Sequence, residues 1–328
     1  MTRLDPAFEI EEQYHHLAAS GAYAEALDLV TRNAHLFPEY AQKVIFAWRI
    51  NMACKLNDTA LALKLLAESI QAGYWYHGLR TDTDYQPLYD EPEFERLAAL
   101  CEGRRAQAMA SAVPVVKTLL PEGSEPPYPM LLALHGANAT AEASHWSAAL
   151  AHGWFLALPQ SSQVYAPGAY TWNDWDWALQ EVQERYNSLC CEFPVDRQRV
   201  VLAGFSQGGG LAAWLALSGL IQVGGLVLVG PFLPDVNRLV PLLESHPPQG
   251  LRAYLVAGQR DRYCLEVAQE LADLLPRYGV VYTLDEVADL EHAFTLDFER
   301  KLPETPAICR GSAHLRNGCG VSYSGTRR

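Results

Sequence analysis

Arg199-Val-Val-Leu-Ala-Gly204-Phe-Ser206-Gln-Gly208-Gly-Gly210 is the stretch whose reading decides the fold. Arg199 to Ala203 is a short β-branched, apolar run with the character of a buried strand, and the residues from 207 to 218 read as a helix. Between them Ser206 occupies a strand-to-helix turn. The glycines on either side remove Cβ clashes, so such a turn can hold a serine in a strained conformation with its hydroxyl facing outward. The N-terminus of the following helix would direct its dipole and free N–H groups at charge developing next to that hydroxyl.

Outward from this turn, the chain from residue 113 alternates short apolar runs with longer amphipathic stretches. Strands are expected at 113–119, 130–134, 154–158, 199–203, 226–229, 251–257 and 280–284, and helices at about 141–151, 175–190, 207–218 and 264–277. This alternation predicts the α/β class, a doubly wound and mostly parallel sheet. A closing helix begins near Leu296 and stops near Leu302. The following residues 303–328 have two prolines and no apolar period, so a disordered tail is expected.

The first 103 residues have another texture. Ala, Leu and Glu dominate, without β-branched runs, and predict an N-terminal all-helical domain. Gly21 to Val30 is echoed 36 positions later by Asn57 to Leu66, with Ala26 and Ala62 at matching places. Small residues there would let paired helices approach closely, and Pro38 would end the first unit. The echo resembles the tetratricopeptide repeat over about two units; a plain helical bundle fits the pattern equally well. Residues 104–112 read as a linker or terminal helix.

The two remaining parts of a nucleophilic site follow in chain order. The strand 251–257 runs into Gly258-Gln-Arg-Asp261, and the strand 280–284 is followed by Leu290-Glu-His292. Both loops leave the C-terminal edge of the sheet, where Ser206 also sits. A serine hydroxyl is a poor nucleophile until an imidazole takes its proton, and a carboxylate fixes the imidazole tautomer. Ser206, His292 and Asp261 therefore form the candidate catalytic set, with Asp285 and Asp289 as alternative acids. An oxyanion would need two N–H donors, expected from Gln207 and from Ala137 on the loop His135-Gly-Ala-Asn138. His135 precedes that loop and reads as its structural support. Rim aromatics Trp172, Phe232, Tyr263 and Phe294 are candidate walls for a substrate, with the segment between strands 226–229 and 251–257 too short for a cap domain.

The motifs Leu134-His-Gly136, Trp172-Asn-Asp-Trp175, Gly204-Phe-Ser-Gln-Gly-Gly209, Gly258-Gln-Arg-Asp261 and Glu291-His-Ala-Phe294 are together similar to the phospholipase/carboxylesterase group of α/β-hydrolases, which includes acyl-protein thioesterase-like enzymes. The resemblance covers about residues 113–302. It implies cofactor-free hydrolysis of an acyl ester or thioester, and it supports Ser206, Asp261 and His292 residue by residue. The loop after Gly136 lacks the Gly-Asp signature common in that group, and the helical domain and the tail lie outside it. A serine peptidase of the same architecture, or a non-catalytic relic with a recruiting helical domain, are the competing readings.

Composition narrows the partners. The net charge of −13 repels phosphate backbones and argues against nucleic acid. Glu9, Glu11 and Glu12 stand where a secretory leader would be basic and then apolar. The longest apolar run, around 215–229, is too broken for a membrane span. Seven scattered cysteines, with the vicinal pair Cys190 and Cys191 but no C-x-x-C and no metal-ligand spacing, suggest a reducing cytoplasm and no metal site. The expected partners are a small-molecule or acylated substrate and a protein bound by the helical domain.

Overall fold

The computed structural model describes residues 6–38, 41–142 and 144–302 of the chain. Two compact units emerge, one of residues 1–112 with 164–168, the other of 113–163 with 169–328.

The first unit is helical. Helices α1 (Pro6–Ala19), α2 (Tyr23–Asn33), α3 (Gln42–Lys55), α4 (Thr59–Gln71) and α5 (Pro92–Ser111) each pack on the next in sequence. Ala26 on α2 and Ala62 on α4, the echoed positions, have no exposed surface. The side chain of Asp58 caps α4 by accepting the Leu61 N–H at 3.0 Å. Tyr14 stacks on Trp48 at 4.4 Å between ring centroids and joins α1 to α3. Residues 104–111, expected as a linker or terminal helix, are the second half of α5 and so no linker. Three alanines there (Ala106, Ala108, Ala110) favour helix, and Arg104 Nη1 donates to Ile70 O at 2.6 Å, holding the stretch to α4.

The second unit is built on strands β1 (Val115–Leu119), β2 (Tyr128–Leu134), β3 (Phe155–Gln160), β6 (Val195–Phe205), β7 (Gly225–Val229), β8 (Arg252–Gly258) and β9 (Val281–Val287); two short strands, β4 (Val164–Ala166) and β5 (Ala169–Tyr170), lie between β3 and β6 in the chain. The seven form one sheet in the order β1-β3-β2-β6-β7-β8-β9, all parallel except β1, which runs antiparallel to β3. The α/β class, the mostly parallel sheet and the helical N-terminal region are as the sequence predicts. The alternation of side chains across the pleat fills both faces. Met130, Leu132 and Leu134 enter the core that also holds residues of α6 (Trp175–Glu192), α7 (Gln207–Leu217) and α9 (Arg262–Leu274). Leu131 and Ala133 enter the other, with Trp146 and Phe298. A short helix, α8 (Val240–Ser245), separates β7 from β8.

The chain winds outward from β2 to β3 on one side and from β6 onward on the other. The strand order therefore reverses between β2 and β6, where ligands bind in open parallel sheets. Leu134 and Gly204 are paired across that boundary, so the loops after them start side by side.

Two local expectations differ. The helix expected at 141–151 is a short 3₁₀ helix of about two turns, Ser147–His152. The preceding segment is tethered elsewhere: Ala139 exchanges backbone bonds with Tyr170, and the Ala141 N–H donates to Gln160 Oε1 at 2.8 Å. The closing helix, α10, is one turn, Phe298–Lys301, with Phe298 and Leu302 buried. The expected tail lies outside the described residues. Among the described residues, no helix is long and apolar enough to cross a membrane.

Candidate active site

Ser206 connects β6 to α7 with φ 55° and ψ −123°. That conformation is uncommon for a residue with a Cβ and persists only where the surroundings impose it. Here the Ser206 N–H donates to Val229 O at 2.9 Å, and its carbonyl accepts from Phe232 N–H at 2.9 Å and Gly210 N–H at 3.1 Å. Glycine is required beside it. A Cβ on Gly208 would lie 2.4 Å from His135 O, and one on Gly204 would lie 2.3 Å from the Gly208 backbone. Strand end and helix start thus cross closer than any side chain permits, which turns the hydroxyl outward.

His292 reaches this hydroxyl from the loop after β9. Its Nε2 lies 2.8 Å from Ser206 Oγ, and its Nδ1 lies 2.5 Å from Asp261 Oδ2. Asp261 follows β8 and is also the N-cap of α9, its Oδ1 accepting the Cys264 N–H at 3.4 Å. Asp261 is the better shielded of the pair, its side chain 12% exposed against 41% for His292. The alternative acids are engaged elsewhere: Asp285 accepts from Tyr254 Oη and Lys301 Nζ, and Asp289 pairs with Arg260. Chemically, the arrangement can pass a proton from an alcohol to an imidazole whose other nitrogen is held by a carboxylate.

The two expected oxyanion donors lie just beyond the paired residues Leu134 and Gly204. Gln207 is the first residue of α7, so its N–H has no partner within the helix. Ala137 is exposed. Neither amide donates to another described residue. The loop carrying Ala137 is held by His135, whose Nδ1–H donates to Gly136 O at 2.8 Å. This tautomer leaves Nε2 as the acceptor for Ser161 N–H at 3.1 Å. Burial pushes the His135 imidazole down to about 4, so it stays neutral.

Trp172, expected as a substrate wall, is a correction. It has no exposed surface; its indole N–H donates to His135 O at 2.9 Å and its ring stacks on the His135 ring at 4.7 Å. A buried indole needs a partner for its N–H, and this one finds it beneath the loop. The other aromatic candidates are on the surface or near it. Phe232 and Tyr263 are 37% and 45% exposed, with centroids 5.1 Å apart. Phe294 is half-buried and stacks on Phe205 and His145.

Two features escaped the sequence reading. The buried Gln207 side chain accepts from Trp172 N–H at 2.7 Å and Thr171 Oγ1–H at 2.9 Å, and donates to Asn173 Oδ1 at 2.9 Å. No local signal marks a partner so distant in sequence. Cys264 lies against the acid, and the ligand atoms of Asp261, Cys264 and His292 are all within 4.8 Å of one another. Its place three residues after an N-cap is the available signal. Burial first, and then the Asp261 charge, push the thiol up to about 12.

A strand–turn–helix serine at the reversal of a mostly parallel sheet, with a histidine and an acid delivered by later strand ends, defines the α/β-hydrolase class. The chain belongs to the alpha/beta hydrolase family, whose model matches residues 131–315, and the model of the A/B hydrolase-like N-terminal domain matches residues 11–109. Among solved structures, an uncharacterized protein from Bacillus cereus ATCC 10987 is 25% identical, with a TM-score of 0.50 over 90% of this chain and 96% of the other. A Bacillus cereus carboxylesterase is 20% identical, with a TM-score of 0.46 over 61% and 96% of the respective chains. A phospholipase/carboxylesterase from Dyadobacter fermentans is 17% identical, with a TM-score of 0.47 over 60% and 98%.

Proposed function

We propose that this protein is a serine hydrolase of carboxylic esters or thioesters that works through an acyl-enzyme. The observation that carries the reading is the unbroken chain of contacts from Ser206 Oγ through His292 to Asp261, at 2.8 and 2.5 Å. His292 Nε2 accepts the Ser206 proton as Oγ attacks the acyl carbon. The carbonyl oxygen becomes an oxyanion facing the amides of Gln207 and Ala137. Collapse of the tetrahedral species breaks the bond to the leaving oxygen or sulfur, which takes the proton from the imidazolium. Water then enters by the same route in reverse and releases the acid. Asp261 orients the imidazole and balances its charge. The steps use the protein's own groups and consume water alone.

The substrate on this reading is a small acylated compound, and recruitment of a protein partner falls to the helical unit. We place the enzyme in the cytoplasm; the described cysteines Cys54, Cys101, Cys190, Cys191 and Cys264 are all free thiols.

The test is mass spectrometry of the full chain after a fluorophosphonate probe, alongside hydrolysis of p-nitrophenyl esters and aminoacyl nitroanilides. Labelling at Ser206 with ester turnover is the expected result. Ser206→Ala should abolish labelling and reduce kcat on the order of 10³–10⁶-fold. Turnover of the nitroanilides alone would transfer the assignment to a peptidase, and full turnover in the alanine variant would end it.

A further inference from the structure

A cavity of about 270 Å³ opens beside the nucleophile. Its walls include Leu134 at the end of β2 and Gly136 after it, Leu158 on β3, Phe205 at the end of β6, and Trp146 and Phe294 from the loops. Gly136 brings it to the reacting atoms: a Cβ there would lie 3.0 Å from the Phe205 ring and 3.3 Å from Ser206 Cβ. One wall is a continuous run of rings. His145 stacks on Phe294 at 4.0 Å and 11°, Phe294 on Phe205 at 4.9 Å, and Phe205 lies 4.7 Å from His292. Trp146 and Leu158 line it from the core side, only 4% and 1% exposed, with the indole edge-on to Phe294 and Phe298.

We infer that this cavity is a chain-length filter for the acyl group, bounded on its core side by Trp146 and walled by the His145–Phe294 stack. The inference rests on the proposed acyl-enzyme reading and gives it a substrate class: esters or thioesters of neutral acids of middle length. Charge excludes anionic acyl groups. No lysine or arginine lines the cavity, and Glu142 lines it with a carboxylate. The core-side boundary decides which arm of the ester enters. The leaving group departs before water attacks, so one lodged against that boundary would have to pass the acyl chain on its way out; the acyl chain stays through both steps. A methylene fills about the volume of a water molecule, ~30 Å³, so a cavity of about 270 Å³ takes roughly nine carbons at most. Each methylene placed in such a pocket changes the specificity constant by about tenfold or more.

The experiment is a panel of p-nitrophenyl esters from acetyl to palmitoyl, crossed with octanoate esters of alcohols of increasing length. It is run on the full-length protein and on the variants Ala141→Phe and Trp146→Leu. Ala141 lines the cavity on a loop, so its replacement puts a ring into the space without removing a core residue. The expected readout is kcat/KM peaking at middle acyl length in the parent. The octanoyl-to-acetyl ratio should fall roughly tenfold or more in Ala141→Phe, and the optimum should move to longer acids in Trp146→Leu. Should Trp146→Leu not fold, the loop variant decides alone. A length profile unchanged by Ala141→Phe, or one that follows the alcohol instead of the acid, overturns the filter and leaves the hydrolase reading standing. Absence of turnover on every ester, with Ser206 unlabelled, overturns both.

Discussion

The side-chain oxygen of Gln207 accepts the backbone N–H of Trp172 at 2.7 Å, across 35 positions of sequence. The residue that follows the nucleophile thereby has two separate tasks. Its main-chain N–H is free at the start of α7, and its side chain holds the 171–173 segment. Replacement by alanine leaves the Trp172 N–H unpaired in a buried place, while the Thr171 hydroxyl keeps Asn173 Oδ1 at 2.9 Å as its acceptor; the lost bond costs roughly 1–3 kcal/mol. Gln207→Ala should lower Tm by on the order of 5–10 °C. Every variant at this position keeps its backbone amide, so Ser206 should still react with a fluorophosphonate. Calorimetry combined with probe labelling separates the two tasks; an unchanged Tm would show the side-chain bonds to be unimportant.

The buried His135 makes stability depend on pH. Its folded value, about 4, lies below the ordinary imidazole value of about 6.5. Between those values the unfolded chain binds a proton that the folded chain refuses. The contribution is therefore present above about 6.5 and is lost as pH falls through about 4, to the extent of roughly 3 kcal/mol. Denaturant unfolding of the parent at pH 7 and 4.5 should show the loss. His135→Asn, whose side chain does not titrate, should show a smaller difference between the two pH values. Equal differences in parent and variant would place the acid sensitivity at another group.

Much of this arrangement was legible because its signals are local. The strand ending at Phe205, the glycines around Ser206 and the helix after it are neighbours in sequence, and the order Ser206, Asp261, His292 needed only the alternation of strands and helices. The structure brings those three side chains together. What the sequence concealed depends on distant partners. Trp172 lies on a loop, where exposure is the natural expectation, yet the carbonyl of His135 and the side chain of Gln207 draw it inside. Residues 141–151 have the composition of a helix, yet the tethers of Ala139 and Ala141 hold the segment's start out of helical geometry. The continuation of α5 through Ser111 is one of the two readings, linker or terminal helix, that the sequence left open for this stretch.

Cys264 should be the slow thiol of the hydrolase unit. With its value pushed up to about 12, the thiolate fraction at pH 8 is on the order of 10⁻⁴. Cys191 is exposed on α6. Iodoacetamide labelling followed by mass spectrometry should therefore modify Cys191 long before Cys264. Because part of the shift comes from the Asp261 charge, Asp261→Asn should speed labelling of Cys264 and leave Cys191 unaltered. Comparable rates at both cysteines in the parent would contradict the burial and charge assigned to this thiol.

Ala62 tests the packing of the helical unit. It has no exposed surface on α4, whereas Ala60, two residues earlier on the same helix, is exposed. Leucine and alanine have similar helix propensities, so a substitution at either position changes packing more than backbone preference. Ala62→Leu forces extra methylenes into a filled interior and should destabilise the unit by about 1–3 kcal/mol. Ala60→Leu should stay within about 0.5 kcal/mol of the parent. Hydrogen exchange of α3 and α4 in the full chain reads the difference directly: protection should fall in the first variant and persist in the second. Equal protection in both would mean that the small residue at the echoed position has no packing role, and that the pairing of these helices is set by other contacts.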